Sequence, residues 1–120
     1  CTILVKLHQF DDDDQEQFAI DTCAAAFRPG MVEGLSVLPL HSCASENVAL
    51  VRWAAGTQFN QHAHWGGEEI FVIEGTFQDE HGSYPAGSWI RSPHLSKHSP
   101  WSDEGCLIYV KTGHLPQNEA

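Results

Sequence analysis

Basic residues are scarce in this chain. Six Lys and Arg stand against 16 Asp and Glu in 120 residues, a formal net charge of −10. That balance argues against nucleic acid and anionic membrane surfaces as partners. Long apolar runs are also missing, and no stretch approaches the length that crosses a bilayer. Cysteine is sparse: Cys1, Cys23, Cys43 and Cys106 lie far apart and form no Cys-x-x-Cys, which argues against a zinc ribbon and a thioredoxin-type redox motif. Two disulfides in a secreted protein are the alternative. With no signal peptide in view and a core that can stand alone, reduced thiols and a cytoplasmic location are the expectation. A leading Cys can mark a lipid-modified protein, but TILVKLHQF follows at once and reads as strand, not as a flexible tether. There is no Ser-His-Asp order, phosphate-cradling glycine loop, dinucleotide fingerprint, internal repeat or linker. One domain over residues 1–120 is expected.

What is present is a series of short runs rich in Val, Ile, Phe and Trp, separated by turn residues. Such runs favour strands. The candidates are Ile3–Leu7, Leu35–Leu40, Val48–Ala54, Glu69–Ile73, Thr76–Asp79, Ser88–Arg91 and Gly105–Lys111. Asp-Glu-His-Gly at 79–82 signals a hairpin, and Tyr-Pro-Ala-Gly at 84–87 suits a β-turn. Asp11 to Asp14 read as a solvated loop, because their spacing matches no calcium loop. The only helix candidate is Gln15 to Ala26, with a weak apolar pattern, and Arg28-Pro29-Gly30 stops it. Many short strands in one small domain predict an all-β sandwich or barrel.

Eight histidines is a high count for this length. His62, His64 and Glu68 stand at the spacing His-x-His-x₃-Glu within strand-like sequence, so the two histidines share a face. Imidazole and carboxylate are metal donors, and this spacing predicts a metal site rather than a solvated surface. Glu69 should turn away by alternation. A slip of one residue in register would exchange it with Glu68.

The segment from Gly56 to Gly75, with His62, His64 and Glu68 between, resembles the first motif of the cupin superfamily residue for residue. Gly87, Pro93 and His98 resemble the second, with Leu95 where that motif usually has Gly and Ser102 where it usually has Asn. The resemblance narrows further. FRPG at 27–30, LPLH at 38–41, HAHWGGEE at 62–69, FQDEHGSYPAGSWIRSP at 77–93 and SDEGCLIYVK at 102–111 look like the ChrR-type cupin family over about residues 27–112. The resemblance implies a small jelly-roll β-barrel, with residues 1–26 as an added strand and acidic loop. It implies one divalent metal, zinc before iron, manganese or nickel, on His62, His64, Glu68 and His98. In that family the domain is the metal-binding half of an anti-sigma factor and senses reactive oxygen. Its helical half has a His/Cys zinc motif not found here, so a sigma factor is not an expected partner.

Two functions follow as alternatives. One is a regulatory or stress-sensing domain. The other is a non-haem dioxygenase acting on a small carbonyl compound, because similar cupins include an acetylacetone-cleaving enzyme. No catalytic residue can be named from sequence. A small-molecule ligand inside the barrel is an option in either case. An apolar first strand with no place in a minimal barrel predicts a homodimer.

Other residues have plainer expectations. His94 is a rim or surface-loop residue, and His81 is a solvated hairpin tip. Trp65, Trp101, Phe59 and Phe71 are either core or lining of the barrel mouth. Cys106 is a buried inert thiol by default, a sensor thiol otherwise. His8, His41 and His114 are given no chemistry.

Overall fold

The computed structural model describes residues 1–117. Eleven strands and no helix are found among them: β1 (Arg28–Pro29), β2 (Leu35–Cys43), β3 (Glu46–Trp53), β4 (Thr57–Gln58), β5 (His62–Ala63), β6 (Glu68–Asp79), β7 (Gly82–Pro85), β8 (Trp89–Ser92), β9 (Lys97–His98), β10 (Trp101–Ser102) and β11 (Cys106–Thr112). All pairings are antiparallel. The all-β architecture is the one expected from the sequence.

The long strand β6 organises the fold. Its first half pairs with β8 and β11, and its second half pairs with β7 and β10. The register against β11 shifts between Leu107 and Ile108, so Leu107 faces Glu74 while Ile108 faces Val72. A bulge of this kind bends a strand and resets which face its side chains take. Glu68, Ile70 and Val72 are buried before it, and Phe77 and Asp79 after it, while Ile73 is exposed. The curled sheet therefore keeps one continuous interior. Its core is Leu35, Trp53, Ile70, Val72, Phe77, Cys106 and Ile108. Leu38, Leu50 and Leu107 form a second cluster on the outer face, against Phe27 and Tyr109.

Two expectations are corrected. Ile3–Leu7 forms no strand: this segment meets the sheet through side chains, Lys6 donating to Glu69 and Gln9 accepting from Lys111. Gln15–Ala26 forms no helix. Asp21 instead closes a turn, its carbonyl accepting from Ala24 and Ala25 and its side chain from the Cys23 amide. Asp offers the backbone a local alternative to a helix, and no strong apolar stripe opposes it here.

The hairpin signals fall where expected. Asp79 pairs with Gly82 across a two-residue loop. The Ser88 amide donates to the Pro85 carbonyl at 3.1 Å, with Gly87 at φ +92°. All four cysteines are free thiols. No helix among the described residues is long and apolar enough to cross a membrane.

Candidate metal centre

Four segments deliver the site. β5 carries His62, the turn after it carries His64, β6 opens on Glu68, and β9 ends on His98. β5 and β9 form their own two-stranded ribbon, in which His62 and His98 are direct partners. Between His64 and Glu68 the chain must reverse tightly under the C-terminal segment, and Gly66 and Gly67 allow it. Their φ angles are +77° and +76°, and a Cβ on Gly66 would lie 2.5 Å from the Gly113 Cα. The Gly66 amide donates to His94 Nδ1 at 2.8 Å. His94 is thus a buttress of the turn, packed edge-on to Trp65. Leu95, where the related motif has Gly, still adopts the left-handed conformation (φ 64°), and its amide donates to the His64 carbonyl at 2.9 Å. The other departure is also absorbed: the buried Ser102 hydroxyl donates to the Thr76 carbonyl at 2.6 Å.

The three histidines converge through Nε2. His98 Nε2 lies 3.0 Å from His64 Nε2 and 3.1 Å from His62 Nε2. Glu68 Oε2 is 3.0 Å from His64 Nε2, and Oε1 is 3.5 Å from His98 Nε2. Glu68 is 5% exposed, and its Oε1 has no hydrogen-bond partner among the described residues. His62 Nδ1–H donates to the Asn60 carbonyl at 2.8 Å, so its Nε2 presents a lone pair to the cluster. His98 Nδ1 faces the Asp79 carboxylate at 3.8 Å, which favours the same tautomer there. Burial holds the His98 imidazole below its ordinary pKa, and neighbouring Glu68 works against that. Imidazole nitrogens converging beside a buried carboxylate oxygen make a place where a cation can be held. The donor set of imidazoles and a carboxylate fits a divalent metal, with His62, His64 and His98 as its core.

Asp79 is a site residue that sequence reasoning missed. Its Oδ1 accepts from the His81 amide at 2.9 Å and from the Tyr84 hydroxyl at 3.2 Å, which leaves Oδ2 toward His98. Next to it, both Glu80 carboxylate oxygens accept from the Ser99 amide at 3.1 Å, fixing the chain just after His98. The hairpin motif hid this role, because its residues read as a turn.

Glu69 faces away from the site, as strand alternation requires. It binds Lys6 and His114 on the outer face. Burial pushes its carboxyl up, but those two partners hold it below the usual range. His62, His64, Glu68 and His98 themselves line a cavity of about 430 Å³, whose remaining wall is mainly apolar and includes Leu35, Phe59, Ile70 and Ile108. Of the four aromatics read as either core or barrel-mouth lining, Phe59 lines this cavity. Phe71 lines the outer face, Trp65 is exposed beside His94, and Trp101 sits half-buried in β10. Burial pushes the Cys106 thiol up to about 11, so it stays protonated at neutral pH.

The sequence profile described as ChrR Cupin-like domain matches residues 15–116, and the chain belongs to that family. No curated protein matches it. Among solved structures, a putative acetylacetone dioxygenase from Methylibium petroleiphilum superposes with a TM-score of 0.76 at 16% identity, over 86% of this chain and 81% of that one. An acetylacetone dioxygenase from Acinetobacter johnsonii gives 0.69 at 21% identity, over 93% and 80%. The Rhodobacter sphaeroides complex of SigE with the anti-sigma ChrR gives 0.67 at 22% identity, over 74% of this chain and 50% of the matched one. The chain thus spans half the length of that relative. At these identities the superpositions establish the cupin fold, and the profile establishes the family.

Proposed function

We propose that this chain is a single-domain metal-sensing cupin, cytoplasmic and homodimeric. It holds one zinc ion through His62, His64, Glu68 and His98 and acts by regulation rather than turnover. The observation that carries this reading is Glu68. It approaches two of the three converging imidazoles and leaves one buried oxygen free. Three imidazoles and a carboxylate make a complete tetrahedral set, the arrangement of a closed zinc site. Bound zinc supplies a fixed positive charge that neutralises Glu68 and ties four segments together.

The chain's own residues supply a route outward. Glu68 and Glu69 are consecutive on β6, one toward the metal residues and the other clasping Lys6 and His114 on the outer face. A change in how Glu68 is held shifts the strand that carries Glu69, and with it the anchor of the N-terminal segment. Loss of metal, or oxidation at the site, would be read there as an altered protein contact.

A second reading rests on a different observation. The cavity of about 430 Å³ that the metal residues help to line is otherwise mainly apolar and large enough for a small organic molecule. Together with the two dioxygenase neighbours, it supports a non-haem dioxygenase acting on a small carbonyl compound, with iron, manganese or nickel in place of zinc. Oxygen uptake separates the two. Protein reconstituted with Zn²⁺ or Fe²⁺ is mixed with a panel of small diketones and related acids in an oxygen electrode. No metal-dependent consumption is expected. Consumption by the Fe²⁺ form that is abolished in Glu68→Ala and in His62→Ala would overturn the sensor reading.

A further inference from the structure

A second group of metal-binding side chains lies on the outer face, apart from the barrel interior. Asp14, His41 and Glu46 each place a donor atom within 4.8 Å of the others. They come from three separate segments: the acidic loop, β2 and the start of β3. His41 Nε2 is 2.8 Å from Asp14 Oδ2. The Asp14 side chain is only 6% exposed and that of His41 16%, so this is not a loose surface pair. The fold builds the arrangement at both ends. The Asp14 amide donates to the Asp11 carbonyl at 2.9 Å in a turn that points Asp14 back at the sheet, and Phe18 packs its ring on His41 at 5.4 Å. Across the β2–β3 hairpin Cys43 pairs with Glu46 and His41 with Val48, so strand alternation puts His41, Cys43 and Glu46 on one face.

The local charge is out of balance. The Asp14 hydrogen bond first, and then the charges of Asp14, Glu16 and Glu46, hold His41 above its ordinary pKa against the effect of burial. Burial first, and then the charges of Asp14, Asp11, Glu46 and Asp13, push the neighbouring Cys43 thiol up. On this face Lys111 is 3.3 Å from Glu46 and also donates to Gln9, and Lys6 is taken by Glu69. One ammonium therefore faces a group of carboxylates, with the His41 ring nitrogen among them. Buried or half-buried carboxylates need such a partner.

We propose that Asp14, His41 and Glu46 form a second divalent-cation site that fastens the N-terminal acidic segment to the β2–β3 hairpin. One imidazole and two carboxylates suit Zn²⁺ or Mn²⁺ and leave positions for water. Its role is structural: it converts a self-repelling run of four aspartates into a clasp over the outer face.

The test uses Zn²⁺ alone. Full-length protein is stripped of metal, dialysed against buffered Zn²⁺, and its metal content measured. Wild type is expected to hold one equivalent more than His41→Gln, and Asp14→Asn to lose that same equivalent. Asp14 lies in a loop, so its variant tests the site without threatening the fold. The double variant His62→Ala/His64→Ala is expected to keep the outer equivalent. Hydrogen exchange at residues 11–18 should slow on adding Zn²⁺ to wild type and stay unchanged in His41→Gln. Equal metal content in wild type, Asp14→Asn and His41→Gln overturns the proposal, as does exchange that ignores Zn²⁺ in wild type. An equivalent lost only in the barrel variant would sink this site and leave the barrel reading intact. An equivalent lost only in His41→Gln and Asp14→Asn would do the reverse.

Discussion

At the scale of single residues, the candidate centre rests on groups that stand behind the converging donors. Asp79 is 6% exposed and spends one oxygen on the His81 amide and the Tyr84 hydroxyl, so the other is held toward His98 Nδ1. A carboxylate behind a ligating imidazole fixes its tautomer and raises its basicity, and removing such a partner costs about 10–100-fold in metal affinity. Asp79→Asn is therefore expected to weaken Zn²⁺ binding by that factor in competition with a chelator, with the fold kept. Tyr84→Phe should have a smaller effect in the same direction. Unchanged affinity in Asp79→Asn would remove Asp79 from the site. The pH dependence has a definite sign. Burial depresses His98, so its neutral form is favoured in the folded protein. That contribution is fully present above about 6.5, the unperturbed imidazole value, and is lost as pH falls through the lower folded value. The candidate donors His62, His64 and Glu68 were legible from one spacing in strand-like sequence, and His98 from the likeness of its segment to the second cupin motif. Asp79 was not, because a hairpin turn and a supporting carboxylate use the same residues.

At the scale of elements, the sequence reading succeeded where side-chain alternation decides structure and failed where it does not. Leu35–Leu40 and Gly105–Lys111 alternate between a core face and an outer face, and they became β2 and β11. Glu69–Ile73 and Thr76–Asp79 merged into the single strand β6, because a bulge opposite β11 carries the chain through Glu74 and Gly75 without a break. Ile3–Leu7 is an apolar run broken only by Lys6 rather than an alternating one, and no neighbouring strand offers it a ladder among the described residues. Lys6 and Gln9 hold it in place, and its apolar side chains stay out: Ile3 and Leu7 are each 74% exposed, Val5 57% and Phe10 68%. Beside them Trp89 is 56% exposed on β8, whose only partner strand among the described residues is β6. A free strand edge next to exposed apolar side chains is a surface that a second copy can cover. Light scattering at micromolar concentration is expected to give a dimer mass for wild type and a shift toward monomer in Leu4→Asp/Leu7→Asp. A monomer in wild type would refute the dimer. The charge of −10 opposes association, so raising the salt concentration should strengthen the dimer.

At the scale of the whole molecule, the metal residues join parts that the sheet leaves separate. His62 and His98 belong to the two-stranded ribbon of β5 and β9, while Glu68 opens the longest strand of the nine-stranded sheet. Backbone pairing does not connect the two sheets through those strands. A cation held by His62, His64 and His98 beside Glu68 would fasten the ribbon to β6. Metal binding free energy thus becomes folding free energy. A ligand present at about 100 times its dissociation constant stabilises the folded state by about 2.7 kcal/mol. For a domain of this size that corresponds to a rise in melting temperature of roughly 10 °C. Chelation is expected to lower the melting temperature by that order, and His64→Ala to reproduce most of the loss without chelator. Hydrogen exchange should locate the change in residues 59–66 and 94–99, with β3 and β11 little affected. A melting curve that stays in place after verified removal of the metal would show that the ribbon is held by packing alone, with Phe59 against His62 and Phe77 against His98 sufficient to seat it.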